Sequence, residues 1–376
     1  MKEIENEKAL KHLFDKAHLK RTADALAAVY PAFDRKRYLA SFSSLEALSM
    51  KSRVRLLRDE LNHLLPTAYA KALTVLMKAV KIGRLESFDL WPITEFIQTY
   101  GTNDLNISLN ALQEITTIFT SEWAIRPFIK KYPKETLEFL LKCARNSDTH
   151  VRRLASEGTR PRLPWGERLQ NFIKDPSPTF PILEELKFDN ELFVRKSVAN
   201  HINDISKDHP EVSIRLLKKW MGEADSNNKK KIEWIARHAL RTLVKKGHSE
   251  ALSLLGVSSK VALEVEKFRL NEKKLTMGEK LKFSFSVKSL SDQKQKLIID
   301  YRIHFIRSNG KPSVKVFKLK NLILDPKAQT KIEKVHHIKE VTTRKYYNGP
   351  HIIDIQINGI VKKSEKFILS GAKNIY

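Results

Sequence analysis

The stretch Asp148-Thr149-His150-Val151-Arg152-Arg153-Leu154-Ala155-Ser156-Glu157-Gly158-Thr159-Arg160-Pro161-Arg162-Leu163-Pro164-Trp165-Gly166 decides the fold. Its Val-Arg-Arg-Leu-Ala opening returns as Val194-Arg195-Lys196-Ser197-Val198-Ala199 and again as Ala236-Arg237-His238-Ala239-Leu240. Arg152, Arg195 and Arg237 therefore fall 43 and 42 residues apart, each inside an apolar helical pattern. A period of roughly 40–47 residues built from paired helices is the signature of HEAT and armadillo repeats. Such repeats stack into a solenoid. An unrelated helical bundle with chance spacings is the alternative that the period argues against.

Upstream, the same helical spacing holds. Residues 7–28 carry Leu10, Leu13, Phe14, Ala17, Leu19, Ala23 and Leu26 at helical spacing, and Pro31 ends the run. Further apolar helices follow over residues 45–65 and 67–80 and continue to about Leu255, separated by Pro or Gly. After Gly256 the period drops to two. Alternating runs at 261–270, 281–287, 297–306, 314–319, 332–338, 351–357 and 365–369 read as seven short strands. Ser308-Asn309-Gly310, Asp325-Pro326 and Asn348-Gly349-Pro350 mark turns between them. The fold class expected is thus multidomain, α then β. A HEAT-like solenoid over residues 1–256 precedes an immunoglobulin-like β-sandwich over residues 260–376, without the usual disulfide.

Charge points to the partner. The chain of 376 residues carries a net +26, which favours a polyanion. From residue 259 to 376 there are 26 Lys and Arg against 11 Asp and Glu, so the β module is the more basic part per residue. No run reaches the ~20 apolar residues that span a bilayer, and no aromatic-tipped amphipathic helix stands out. Nucleic acid is preferred to a membrane. Met1-Lys2-Glu3-Ile4-Glu5-Asn6-Glu7 has no apolar signal region, and the single cysteine, Cys143, forms no intramolecular disulfide. These features place the protein in a reducing cytoplasm, on the nucleoid when bound to DNA. No Cys/His spacing suits zinc, and no Walker loop, G-x-S-x-G or H-E-x-x-H occurs, so neither metal nor organic cofactor is expected.

Candidate site residues cluster in two repeats. On the helix 194–207, Val194, Val198, Ile202 and Ile205 form a buried stripe. Lys196, Asn200, Asn203, Asp204 and Lys207 share the opposite face. Asn and Asp are poor helix formers, so a face of short acceptors flanked by lysines suits an anionic ligand. A solvated face with local capping remains the plain alternative. Gly158 is a natural C′ residue, which puts Glu157 in a last helical turn where the dipole disfavours a carboxylate. Arg160 and Arg162 alternate with Pro161 and Pro164, an arrangement that aims stiffly held guanidinium forks at phosphate. Trp165 offers a flat surface to a sugar or base, or else caps the next repeat as a core residue. Glu122 follows Ser121, a good N-cap, and its ordinary role would be to favour a helix dipole. Carboxylates beside tryptophan in a basic solenoid suit cleavage of an activated glycosidic bond.

Four stretches carry a family resemblance. They are Tyr30-Pro31-Ala32-Phe33-Asp34, Phe119-Thr120-Ser121-Glu122-Trp123-Ala124-Ile125-Arg126-Pro127-Phe128, residues 152–165 quoted above, and Ser197-Val198-Ala199-Asn200-His201-Ile202-Asn203-Asp204-Ile205-Ser206-Lys207-Asp208-His209-Pro210. In these the chain resembles the HEAT-like repeat DNA glycosylases of the AlkC/AlkD type, in the AlkC branch, some members of which carry a C-terminal Ig-like domain. The resemblance implies excision of N3-alkylated bases such as 3-methyladenine and 3-methylcytosine from double-stranded DNA. Asp204 and Glu122 would be the electrostatic and water-positioning carboxylates, with Glu157 a further member and Trp165 in contact with the damaged nucleotide. Trp123 stands where the pattern leads one to expect Phe.

The reading that joins these lines is a monomeric, monofunctional glycosylase acting by hydrolysis. Asp204, Glu122 and Glu157 would be catalytic. Trp165, Arg152, Arg160, Arg162, Asn200, Asn203, Arg195 and Lys207 would bind substrate and DNA. Its rivals are a non-enzymatic HEAT-repeat scaffold for DNA or structured RNA and a solenoid that binds acidic protein segments. No aromatic cluster legible in the sequence builds a pocket for a flipped base, and the loop 344–350 with Tyr346 and Tyr347 is expected to reach a DNA groove.

Overall fold

The structure, a computed structural model, describes residues 10–341 and 344–374. The amino-terminal segment 1–7, read above as free of a signal region, lies outside the described residues. Among the described residues the α-helices run in the order α1 Lys16–Val29, α2 Arg35–Ala40, α3 Met50–Leu64, α4 Tyr69–Lys81, α5 Trp91–Tyr100, α6 Leu105–Thr116, α7 Arg126–Lys131, α8 Pro133–Ala144, α9 Thr149–Gly158, α10 Gln170–Lys174, α11 Phe180–Leu186, α12 Leu192–Ile205, α13 Pro210–Glu223, α14 Ser226–Ala239, α15 Arg241–Lys245 and α16 Ser249–Leu254. The chain packs as two compact units, residues 10–209 with 220–239, and residues 210–219 with 240–374.

In the first unit the repeat is explicit. Helix α9 packs on α12 and α12 on α14, so Arg152, Arg195 and Arg237 sit on successive helices of one layer. Helices α8 and α11 back them, α8 against α9 and α11 against α12. One pair of helices per period of about 43 residues is the HEAT-like arrangement. Local chemistry sets the ends. The Asp148 carboxylate caps α9 by accepting from the backbone N–H of His150 at 2.8 Å and of Val151 at 3.0 Å. Pro133 opens α8 and Pro210 opens α13, where a missing N–H costs nothing. The expected stripe of Val194, Val198, Ile202 and Ile205 on α12 is fully buried.

Among the described residues the second unit has eight strands: β1 Leu263–Leu270, β2 Lys274–Thr276, β3 Lys280–Ser289, β4 Gln295–Ile306, β5 Pro312–Leu324, β6 Gln329–His337, β7 Gly349–Ile357 and β8 Ile360–Ser370. They form a three-stranded sheet, β1-β3-β6, and a five-stranded sheet, β2-β8-β7-β4-β5. Leu281, Phe283, Phe285 and Val287 alternate inward along β3 and meet Tyr301 and Phe305 of β4 in one core. This is the Ig-like architecture expected. The strand not foreseen is β2, three residues paired parallel to β8, too short to show alternation. Asn358 and Gly359, at φ of 48° and 81°, make the tight β7–β8 hairpin turn.

Two features of this unit bear on function. Residues 240–258 pack on the strands: Gln356 Nε2 donates to the Lys245 carbonyl at 3.0 Å and Asn358 Nδ2 to that of Ser258 at 2.8 Å. Tyr346 and Tyr347, expected to reach a DNA groove, are buried instead, and Tyr346 packs edge-on against Phe305 at 5.3 Å. Their rings stabilise this unit, and that removes them from the surface. Thr342 and Thr343, which precede that segment, lie outside the described residues.

Candidate active site

The site begins at the end of α9. Gly158 is its last helical residue and does not adopt the left-handed conformation expected of a C′ glycine. A Cβ at Gly158 would lie 2.6 Å from Cγ2 of Ile125. Glycine is needed here so that the turn 121–125 can press against the helix end. Ser121 does not cap: its hydroxyl is buried and has no hydrogen-bond partner among the described residues. That turn carries Glu122 to within reach of α9.

A chain of ion pairs results. Arg153 meets both oxygens of Glu122 at 3.4 Å and Oε1 of Glu157 at 3.7 Å. Arg160 Nη1 donates to Glu157 Oε1 at 2.6 Å, and Arg160 Nε donates to Asp204 Oδ2 at 2.9 Å. Ser197 Oγ donates to Glu157 Oε2 at 2.6 Å, and Lys207 Nζ donates to Asp204 Oδ1 at 2.7 Å. Glu122, Glu157 and Asp204 are 5%, 6% and 1% exposed. Three buried carboxylates are tolerable only because three cations thread between them. Desolvation raises the pKa of Glu122, with Glu157 acting the same way and Arg153 opposing. His201, one turn before Asp204, is buried and its pKa falls to about 3, so it is a neutral bystander hydrogen-bonded through Nδ1 to the Ser156 carbonyl at 3.0 Å.

Several residues expected to grip DNA face the protein. Arg160 is buried between Glu157 and Asp204, because two desolvated carboxylates attract the fork more strongly than solvent holds it. Arg152 pairs with Asp189 at 2.6 Å and donates to the Asn146 and Ser147 carbonyls. Arg195 donates to the carbonyls of Asp189 and Asn190, both at 2.7 Å. Asn203 is buried and donates to the Ala239 carbonyl at 2.6 Å, bracing α12 on α14. Asn200 Oδ1 meets His238 Nε2 at 3.1 Å. Arg162 remains half-exposed, in a two-pronged pair with Asp208 at 3.0 and 2.8 Å. The expected polar face of α12 is thus largely a packing face.

Trp165 lies on a cleft whose lining includes none of Glu122, Glu157 and Asp204. Its φ is 61°, a strained value for a bulky residue. Lys51 Nζ donates to its carbonyl at 2.5 Å, and Trp123 Nε1 donates to the Pro164 carbonyl at 3.1 Å. Arg126 ties the same loop by donating to the carbonyls of Gly158, Arg160 and Glu167 at 2.9, 2.9 and 2.7 Å. The Trp91 ring lies nearly parallel to those of Trp123 and Trp165, with centroids 5.2 and 6.4 Å away. The three rings, with Lys51, Arg55 and Glu95, line a cleft of about 220 Å³. This corrects the expectation that no aromatic cluster forms a pocket. Trp91 was missed because it lies 32 residues before Trp123, off the repeat period, at the start of α5. The available signal was the 42-residue spacing of Trp123 and Trp165, which sets them one period apart. Among the described residues no group of three His, Cys, Asp or Glu is placed to hold a metal ion, and no helix is long and apolar enough to cross a membrane.

Comparison with known proteins extends this geometry. A family model described as DNA alkylation repair enzyme matches residues 99–243, which include all three carboxylates. A second, described as uncharacterised protein YhaZ, C-terminal Ig-like domain, matches residues 264–371. The uncharacterized protein YhaZ of Bacillus subtilis (strain 168) is 37% identical over 360 residues, 95% of this chain and 98% of that protein. The structure of Pseudomonas fluorescens alkylpurine DNA glycosylase AlkC bound to DNA containing an abasic site analog superposes with a TM-score of 0.89. It is 38% identical and the match covers 96% of this chain and 99% of that one.

Proposed function

The chain belongs to the DNA alkylation repair enzyme family, in the AlkC-like form with a C-terminal Ig-like domain, and from that premise we propose that it hydrolyses the N-glycosidic bond of cationic N3-alkylated bases, 3-methyladenine and 3-methylcytosine, in duplex DNA. The observation that carries this reading is the line of buried carboxylates Glu122, Glu157 and Asp204, linked through Arg153 and Arg160. An N3-alkylated base already bears positive charge and leaves as a neutral molecule with the bonding electron pair, so no general acid is needed. Positive charge then builds on the sugar, where a fixed carboxylate is worth most because nothing must reorganise during the step. Asp204 serves that role. Glu122 orients the water whose oxygen bonds to the anomeric carbon and takes up the proton released. Trp165 supplies the apolar wall that keeps other water out.

The net +26 supplies the long-range attraction to phosphate. A scaffold that binds DNA without chemistry has no use for three desolvated carboxylates, each of which costs free energy to bury. The test is base release: the purified protein is incubated with methylated duplex DNA and free bases are resolved by mass. Release of 3-methyladenine and 3-methylcytosine is expected. Binding with no base released overturns the assignment in favour of the scaffold.

A further inference from the structure

The three cations of the site are not equivalent. Arg160 is buried, and its backbone carbonyl is held by Arg126. Arg153 spans Glu122 and Glu157 and lies 4.7 Å over the Phe193 ring. Lys207 is different. It sits in the turn after α12, its side chain is 36% exposed, and its ammonium meets Asp204 Oδ1 at 2.7 Å. The other oxygen of Asp204 is already taken by Arg160. Oδ1 is therefore the atom of Asp204 not held by a buried arginine, and a flexible, strongly hydrated ammonium covers it.

A positive charge arriving at Oδ1 cannot share it with Lys207, because two cations on one carboxylate oxygen repel at close range. A neutral group meets no such conflict and leaves the ion pair as it is. We infer that Lys207 is the resident counter-ion of Asp204, exchanged for the positive charge of the bound nucleotide, and that it sets how strongly the site prefers a cationic ligand over a neutral one. The inference rests on the reading of Asp204 given above. It makes Lys207 a specificity-determining residue and not a catalytic one: the ammonium leaves Asp204 before charge develops on the sugar. The four-carbon stem, anchored at the end of α12, lets the displaced ammonium swing to a phosphate or to solvent.

The test compares two duplexes with the full-length protein. One carries a pyrrolidine abasic-site analogue, protonated at neutral pH, and the other its neutral tetrahydrofuran counterpart. Affinity for each is measured with wild type, Lys207→Met and Lys207→Arg at one salt concentration. Loss of a phosphate contact would weaken both complexes alike and cancels in the ratio of the two affinities. The ratio of cationic to neutral affinity is expected to rise roughly tenfold in Lys207→Met, a net 1.4 kcal/mol, and to stay near wild type in Lys207→Arg. A cation preference that Lys207→Met leaves unchanged or reduces overturns the inference alone. No cation preference in any of the three proteins overturns the reading of Asp204 itself, and this inference with it. Melting temperatures of the variants confirm that the comparison is between folded proteins, and Lys207→Ala repeats it should Lys207→Met melt early.

Discussion

Glu122 is a buried acid whose pKa is raised by desolvation, helped by Glu157 and opposed by Arg153. A raised folded pKa means that its ionised form is penalised in the fold. Its contribution to stability is full below the unfolded pKa and is lost as pH rises through the folded one. The proposed chemistry needs the ionised form, so the excision rate should fall as pH drops through a value above the ordinary carboxylate range. Glu122→Gln should lower the rate and abolish that acid limb; a limb that survives in the variant assigns it to another group. Arg160 shows what the sequence hid at this scale. Its alternation, with Arg162, against Pro161 and Pro164 suggested an outward-aimed fork, and spacing carries no information about burial. Its partners lie 3 and 44 positions away in the chain, Glu157 and Asp204. Arg160→Ala removes the buried partner shared by two buried carboxylates and should destabilise the helical unit by on the order of 3 kcal/mol. It should leave the slope of log K for DNA against log salt unchanged, whereas loss of a true phosphate contact would flatten it by roughly 0.9. Denaturant unfolding and salt titration read the two effects separately.

Among the elements, the helix layers were legible and their contacts were not. The 43- and 42-residue spacing of Arg152, Arg195 and Arg237 located α9, α12 and α14 as one layer because each repeat must bury the same face. The role of Gly158 was invisible, since its constraint comes from Ile125, 33 positions earlier in the chain. Gly158→Ala inserts a methyl group 2.6 Å from the Ile125 side chain and should cost about 1–3 kcal/mol. It should also pry the Glu122 turn away from α9, so excision should fall more than the stability loss explains; a full rate in a folded variant would detach the turn from the chemistry. The strands followed the same pattern. Alternation revealed β3 and β7, but β2 has three residues and exists only because β8 offers it an edge.

For the whole molecule, charge and fold class were readable from composition and period, while the packing of residues 240–258 onto the strands was not. Those residues form short helices and a linker in sequence, yet Gln356, Asn358 and Lys296 hold the carbonyls of Lys245, Ser258 and Leu255. Deleting residues 259–376 removes a net +15, so affinity for duplex should drop and its salt slope flatten. The same deletion strips those hydrogen bonds, and backbone amides of Arg241–Lys245 and Ser249–Leu254 should lose protection in hydrogen exchange; an unchanged salt slope would show that the β unit does not contact phosphate. The central claim is that a buried carboxylate at position 204 stabilises charge on the sugar. Its most direct test is single-turnover excision of 3-methyladenine from a defined duplex by wild type and Asp204→Asn, at protein concentrations that saturate the DNA. The amide keeps the shape and removes the charge, so the rate on bound DNA should fall a hundredfold or more, on the order of 3 kcal/mol, with binding to intact duplex nearly unchanged. A wild-type rate in Asp204→Asn would contradict the account.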